Sequence, residues 1–393
     1  MAVPSLPFVA THPLEVSPEL RALIEAGPVH RIRTAVGDPA WLVTGHDHVR
    51  ALLADDRLGM AHPDPDRAAR VSDSALFGGR PRANVDTEDA ERARFRSLLQ
   101  PYFAPGPMRA LRARVEAMVE EMLDDMSRRQ PPVDLLAALA VPLPVLVICE
   151  LLGVPAEDRH SFRQHSQNAA AVADAERSQA GLTALWTYTR QLVTSRRGEP
   201  GGDVVSGLCR AEGGALDDDY IAMLAAMILF AGHETTVVQI GLTMALLLDD
   251  RELWSCLAAD PSNVPDVVEE CLRIASPGGG GVPRYPRVDI EVAGVPIPAG
   301  DLVLLSLGAA NHDGTVYHEP YRLDPDRSAR GQLSFGHGAH YCLGAPLARI
   351  ELQAVVSTLA ARFPGLRLAV PAERLRRRDD LLTGGLAELP VMW

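Results

Sequence analysis

The chain has 393 residues and a net charge of −13, with 51 acidic residues against 38 basic ones. Hydrophobic residues make up 47% and charged residues 23%, an ordinary globular balance that excludes disordered, collagen-like and mucin-like classes. The acidic excess argues against a nucleic-acid partner. Every basic residue is Arg, which reflects GC-rich codons rather than a function.

Residues 14–27 and 46–55 read as helices, with short strands at 29–33 and 40–43 around a Gly37-Asp38 turn. Residues 60–90, rich in Pro, Asp, Gly and Arg, read as a long loop. Helical patterns then cover 91–102, 107–129, 134–152, 156–170, 176–197, 202–211, 217–250 and 264–275. The last is stopped by Pro277 and the four glycines at 278–281. Residues 282–306 change to strand-like pieces, and 311–333 form a Pro/Asp/Arg-rich meander. A final helix starts just after Cys342 and runs to about Arg362, and 365–393 read as strands and turns. No position splits the chain, so 1–393 is expected to be one domain.

Five cysteines, Cys149, Cys209, Cys256, Cys271 and Cys342, form no C-x-x-C pair, which argues against a disulfide framework. The first ten residues carry neither a basic segment nor a long apolar one, so no signal peptide is expected and the expected location is cytoplasmic.

Residues 220–248 are apolar for long enough to cross a bilayer. His233, Glu234, Thr235 and Thr236 lie in the middle, where a carboxylate is expensive in lipid. The expectation is therefore a helix through a large soluble core, apolar all round because protein surrounds it, and no membrane partner. Asp217 is its expected N-cap and Asp249-Asp250 its end. About 32 residues give a helix ~48 Å long.

Phe335-Gly336-His337-Gly338-Ala339-His340-Tyr341-Cys342-Leu343-Gly344 is the most informative stretch. Gly336 and Gly338 permit a tight loop, and Ala345-Pro346 reads as a helix start with Pro in its first turn. A thiol at such an end meets unpaired N–H groups and the positive end of the dipole, which favours the thiolate that a metal needs. The residues alone leave two alternatives. One is a buried structural cysteine. The other is zinc on His337, His340 and Cys342, a spacing that matches no standard zinc set and lacks a fourth ligand.

This stretch matches F-x-x-G-x-H-x-C-x-G and resembles the haem-binding signature of the cytochrome P-450 family. The resemblance runs from about residue 7 to 393. It implies a mainly α fold with a minor β region, with haem b (iron protoporphyrin IX) between the long core helix and the C-terminal cysteine-loop helix. It implies Cys342 as the axial thiolate, which pushes electron density onto iron. It further implies His340 at a haem propionate, Phe335 near the sulfur, and Gly336 and Gly344 shaping the haem-binding loop.

Ala231-Gly232-His233-Glu234-Thr235-Thr236 is similar to the family's A-G-x-[DE]-T-[ST] element. Small Ala231 and Gly232 would leave room for dioxygen, Thr235 would hydrogen-bond oxygen or a water, and Glu234 would relay protons. Glu270 and Arg273 form an E-x-x-R pair that shares one helix face. In this family such a pair is buried and joined by an Arg from the meander, a place that Arg322 fits. Arg284 resembles a propionate-binding Arg. The family's H-x-x-x-R pair reads here as Arg92 and Arg96, with Arg92 where His is usual. Six Arg and no acid between residues 92 and 114 read either as a solvated face with haem contacts or as a basic patch for an acidic electron-transfer partner.

The implied function is a monooxygenase that inserts one oxygen atom from O2 into a small apolar natural product. Macrolides, other polyketides and terpenoids are the expected classes, in secondary-metabolite or antibiotic biosynthesis. The length leaves no room for a fused flavin reductase, so the expected electron donors are a ferredoxin and its reductase. Substrate contacts are expected from 60–90, 160–185, 230–231, 278–282 and 382–385. Alternatives are oxidative coupling, ring closure or rearrangement without net oxygen insertion, a non-catalytic haem sensor, and a helical scaffold without haem.

Overall fold

Capping residues set many of the element boundaries in the computed structural model, which describes residues 3–72, 79–169, 175–275, 280–378 and 384–393. The Ser17 side chain accepts from the Leu20 N–H and starts α1 (Pro18–Ala26). There follow β1 (Val29–Arg33), β2 (Pro39–Val43), α2 (His46–Leu53), β3 (Leu58–Gly59), α3 (Glu88–Leu99), α4 (Pro105–Ser127) and β4 (Val133–Asp134). The helical middle comprises α5 (Pro142–Leu152), α6 (Arg159–Ala169), α7 (Ala175–Gly198), α8 (Val204–Arg210), α9 (Asp218–Asp249), α10 (Arg251–Ala259) and α11 (Val264–Ile274). The remainder is β5 (Val282–Pro286), β6 (Ile290–Val292), β7 (Val295–Ile297), β8 (Val303–Leu305), α12 (Leu307–Asn311), α13 (Ala345–Arg362), β9 (Arg367–Leu368) and β10 (Pro390–Met392).

The chain forms two compact units: Met1–Arg92 with Pro265–Cys342, and Ala93–Val264 with Leu343–Trp393. The first contains a five-stranded sheet in the order β1-β2-β8-β5-β3, parallel between β2 and β8 and antiparallel elsewhere. Side chains alternate across it, as the strand period requires. Val43 and Leu305 join one apolar cluster with Val49 and Leu53, while Leu42 and Leu304 join another with Ile32 and Tyr285.

The second unit is helical. α9 packs on α5, α7 and α13, and α13 packs on α4. Asp217 accepts from the N–H groups of Asp219 and Tyr220, the cap expected for α9. Among the described residues α9 is the one helix long and apolar enough, by length and composition, to cross a membrane. His233, Glu234, Gln239 and Thr243 are nevertheless buried along it.

The structure corrects the sequence reading in three places. Asp250 ends α9 and, through its side chain, accepts from Leu253 N–H to begin α10, a helix the sequence reading took only as a stop. The helix expected over 134–152 is interrupted. Leu136–Ala140 is π-helical, with Val141 N–H donating to Leu136 five residues back, and Pro142 restarts the chain as α5. α12 begins where the Ser306 side chain accepts from Ala309 N–H, filling the gap left between the strand pieces at 282–306 and the meander at 311–333.

Candidate active site

The cysteine loop is closed by backbone hydrogen bonds. Cys342 N–H donates to the Phe335 carbonyl at 2.9 Å, and Gly336 N–H to Leu333 at 2.7 Å. Gly336 and Gly338 take φ of +72° and +68°, the left-handed region that favours glycine. At Gly338 a Cβ would lie 2.9 Å from Ala54 Cα and from the Leu53 carbonyl, so the loop rests directly on the end of α2. Cys342 is exposed and lies two residues ahead of Gly344, the N-cap of α13, with Pro346 in the first turn. Phe335 and Tyr341 meet edge to face at 6.5 Å.

Three of the expected propionate ligands gather beside this loop. Arg92 Nη1 lies 3.2 Å from His340 Nε2, and Arg92 Nη2 forms an ion pair with Asp89 Oδ1 at 3.0 Å. Arg284, on β5, is 2% exposed, and its one described hydrogen bond goes to the Pro283 carbonyl. Burial brings its guanidinium down to about 10, which still leaves it charged at pH 7. Burial first, then the charges of Arg284 and Arg92, hold the His340 imidazole down to about 4, so it is neutral there. A buried cation without a bonded carboxylate is costly. The arrangement therefore fits an incoming carboxylate, as a haem propionate would supply. Arg96 is half-buried on α3, one turn after Arg92.

On α9, Met227, Ala231 and Thr235 are exposed while the flanking positions Ile228, Leu229, His233, Glu234 and Thr236 are buried. The spacing of four places all three on one helix face. Thr235 Oγ1 donates to the Ala231 carbonyl at 2.7 Å. Glu234 points elsewhere, 3.7 Å from His233 Nδ1, and the His233 ring reaches Ser166 Oγ at 3.1 Å. Consecutive helix positions diverge by about 100°, so a proton moving between Glu234 and Thr235 needs water between them. Gly232 also has a packing role. A Cβ there would meet Ile148 Cδ1 at 2.6 Å, so its small size lets α5 approach α9.

Arg322 is a correction to the sequence reading. Glu270 and Arg273 are fully buried, with Nε–Oε2 and Nη2–Oε1 bonds both 2.7 Å long. The side chain that completes them is Arg327, whose Nε donates to Glu270 at 3.0 Å. Arg322 contributes its backbone carbonyl to Arg273, and its own guanidinium pairs with the exposed Glu319. Both arginines occupy similar Pro/Asp-flanked places in the meander, so only the fold separates them.

No group of three His, Cys, Asp or Glu side chains gathers as metal ligands among the described residues. The basic run is largely neutralised. Arg92, Arg94, Arg112 and Arg114 pair with Asp89, Glu212, Glu116 and Glu150. Of the expected substrate contacts, residues 73–78, 170–174, 278–279 and 382–383 lie outside the described residues. In the tail, a Cβ on Gly385 would fall 2.9 Å from Val238, which places that turn against α9. Asp89, Arg287 and Ser166 escaped the sequence reading because their partners are distant in the chain or on another helix.

The cytochrome P-450 family model matches residues 263–371. Pentalenolactone synthase of Streptomyces exfoliatus is 41% identical over 99% of both chains. Mycinamicin IV hydroxylase/epoxidase of Micromonospora griseorubida is 38% identical over 98% of both. Among solved structures, a mutant of the mixed-function P-450 MycG in complex with mycinamicin V superposes with a TM-score of 0.90 at 38% identity, covering both chains completely.

Proposed function

The chain belongs to the cytochrome P-450 family, an enzyme of the monooxygenase class, and on that premise we propose that it oxidises a small apolar natural product by inserting one oxygen atom from O2. The product would be a secondary metabolite, with macrolide, polyketide and terpenoid scaffolds the classes to try. The observation that carries this reading is the open face of α9. It offers a substrate the apolar Met227 and Ala231, and a single hydroxyl, Thr235, at its end. Relatives named as a mycinamicin hydroxylase/epoxidase and a pimaricin epoxidase support the substrate class.

Haem b, when bound, would supply the oxygen activation, and Cys342 would hold it through its thiolate. The chain's own residues do the rest. Arg284, Arg92, Arg96 and His340 would hold the propionates, and Phe335, Gly336 and Gly344 would shape the loop that presents Cys342. Thr235 offers a hydroxyl at the open face, and Glu234 holds a proton behind it for transfer through water. Ferredoxin and its reductase deliver the electrons, and the enzyme works in the cytoplasm as one domain, 1–393. The discontinuity of both compact units supports the single-domain reading, because neither is a continuous stretch of chain.

Titration of the ferric protein with macrolides, terpenoids, aromatic polyketides and cyclic peptides, followed by visible absorption, tests this. A saturable high-spin shift with one class names the chemotype. A Cys342→Ala protein that kept a haem-thiolate spectrum would overturn the ligand assignment. The 41% identical relative is named a synthase, not a hydroxylase, so oxidation without net oxygen insertion (coupling, ring closure or rearrangement) is kept as a second reading. Turnover under isotopically labelled O2 separates the two, since only insertion leaves label in the product.

A further inference from the structure

Arg92 is a long side chain, and its aim at His340 needs a brace. Asp89 provides one: Oδ1 forms an ion pair with Arg92 Nη2 at 3.0 Å, and Oδ2 accepts from Arg287 Nη1 at 2.8 Å. Arg287 follows β5, which carries Arg284, and its Nη2 also donates to Glu88 at 3.2 Å. Glu88 is buried and accepts the backbone N–H groups of Met60 and Ala61 at 2.7 and 3.2 Å. The start of α3 and the end of β5 are thereby tied together, and Arg92 and Arg284 are presented from two elements joined by one guanidinium. In this group the two carboxylates Glu88 and Asp89 face the three guanidinium groups of Arg92, Arg284 and Arg287. One cation is left without an anion.

We infer that Asp89, pinned by Arg287, is a positioning residue that aims the Arg92 guanidinium at a haem propionate, making Arg92 a fixed charge where the family usually has His. The inference rests on the proposed haem reading and adds to it a residue that touches no haem atom. Asp89 is half exposed; its hydrogen bond to Arg287 fixes the carboxylate, which then holds Arg92 as a close ion pair.

The test is a double-mutant cycle on the haem-loaded full chain, reading haem transfer to excess apomyoglobin and the ferric/ferrous midpoint potential. Arg92→Ala and Asp89→Ala should each speed haem loss about 10-fold, as partners of a metal-site ligand typically do. In the Arg92→Ala background Asp89→Ala should add less than about twofold, because the two act as one unit. Asp89→Ala should also lower the midpoint potential in the same direction as Arg92→Ala, although loss of a carboxylate alone would raise it. Additive effects on haem loss, or a raised potential, would overturn the positioning role. If Arg92→Ala changes nothing while Arg284→Ala speeds haem loss, Arg92 is not a propionate ligand; the inference then fails and the haem reading stands. Asp89→Asn, which keeps the side-chain shape, should fall between wild type and Asp89→Ala and guards against misfolding of the alanine variant.

Discussion

Thr235 donates its hydroxyl to the carbonyl of Ala231, one turn back on α9. This bond competes with the helix's own ladder, and it occupies the one proton the hydroxyl has. To donate to anything on the open face, Thr235 must release Ala231. Its oxygen lone pairs remain available to a water throughout. In the proposed reaction the hydroxyl would therefore gate protons rather than serve as a fixed donor. Thr235→Val, which keeps the shape, should lower product formed per O2 consumed by roughly tenfold or more, while Thr235→Ser should retain most of it. Parallel measurement of product and O2 uptake decides this, and unchanged coupling in the valine variant would remove Thr235 from the proton path.

The buried pair under the meander allows a sharper comparison. Glu270 and Arg273 are fully buried, and Arg327 is 10% exposed in its side chain. Removing one partner strands a buried charge, at about 3–5 kcal/mol. Arg327→Leu and Arg273→Leu should therefore lower the unfolding midpoint strongly, and holoprotein yield with it. Arg322→Ala removes only an exposed bridge to Glu319 and should stay within about 0.5 kcal/mol of wild type. Equal destabilisation by Arg322→Ala and Arg327→Leu in urea melts would contradict the assignment.

The two loop glycines separate strain from steric contact. Each has positive φ, so alanine costs about 1–2 kcal/mol at either one. At Gly336 the nearest atom to an added Cβ is the His340 carbonyl at 3.9 Å, an ordinary contact. At Gly338 the Cβ meets backbone at 2.9 Å on the α2 side, which cannot swing aside. Gly338→Ala should displace the loop and reduce haem content in purified protein well below that of Gly336→Ala, which should load normally. Equal haem contents would show that the loop does not depend on close seating against Leu53 and Ala54.

Local signals carried most of the fold into the sequence. The Asp217 cap and the strand at 29–33 needed only near neighbours, and both lie where the residues place them. Asp250 misled because one side chain serves two helices, a double use that composition does not mark. Cys342, His340 and the 231–236 element were legible as motifs, because chemistry fixes both residue type and spacing there. Arg327 was not, since a guanidinium on a flexible stem reaches its carboxylate from several chain positions. Gly232 was legible as small, but its packing against Ile148 was not, because Ile148 comes from α5. The Asp89–Arg287 bridge links residues far apart in sequence, each with an ordinary charged neighbourhood.

Glu351 gives a pH-dependent prediction. It is buried on α13, its Oε2 has no partner among the described residues, and burial raises its carboxyl well above the usual range. The folded protein therefore holds this proton to higher pH than the unfolded chain, which ionises near ~4.3. Below that unfolded value both states hold the proton and the group is neutral toward folding. As pH rises above it, the unfolded state loses a proton that the folded state keeps, so the group destabilises the fold progressively up to its raised folded value. Glu351→Gln removes the titration and keeps the shape. The variant should be more stable than wild type at neutral pH, and its advantage should shrink as pH falls toward ~4. Urea melts of both holoproteins across that range measure it. An advantage that stayed constant with pH would mean that Glu351 is ionised in the folded protein and has a partner there.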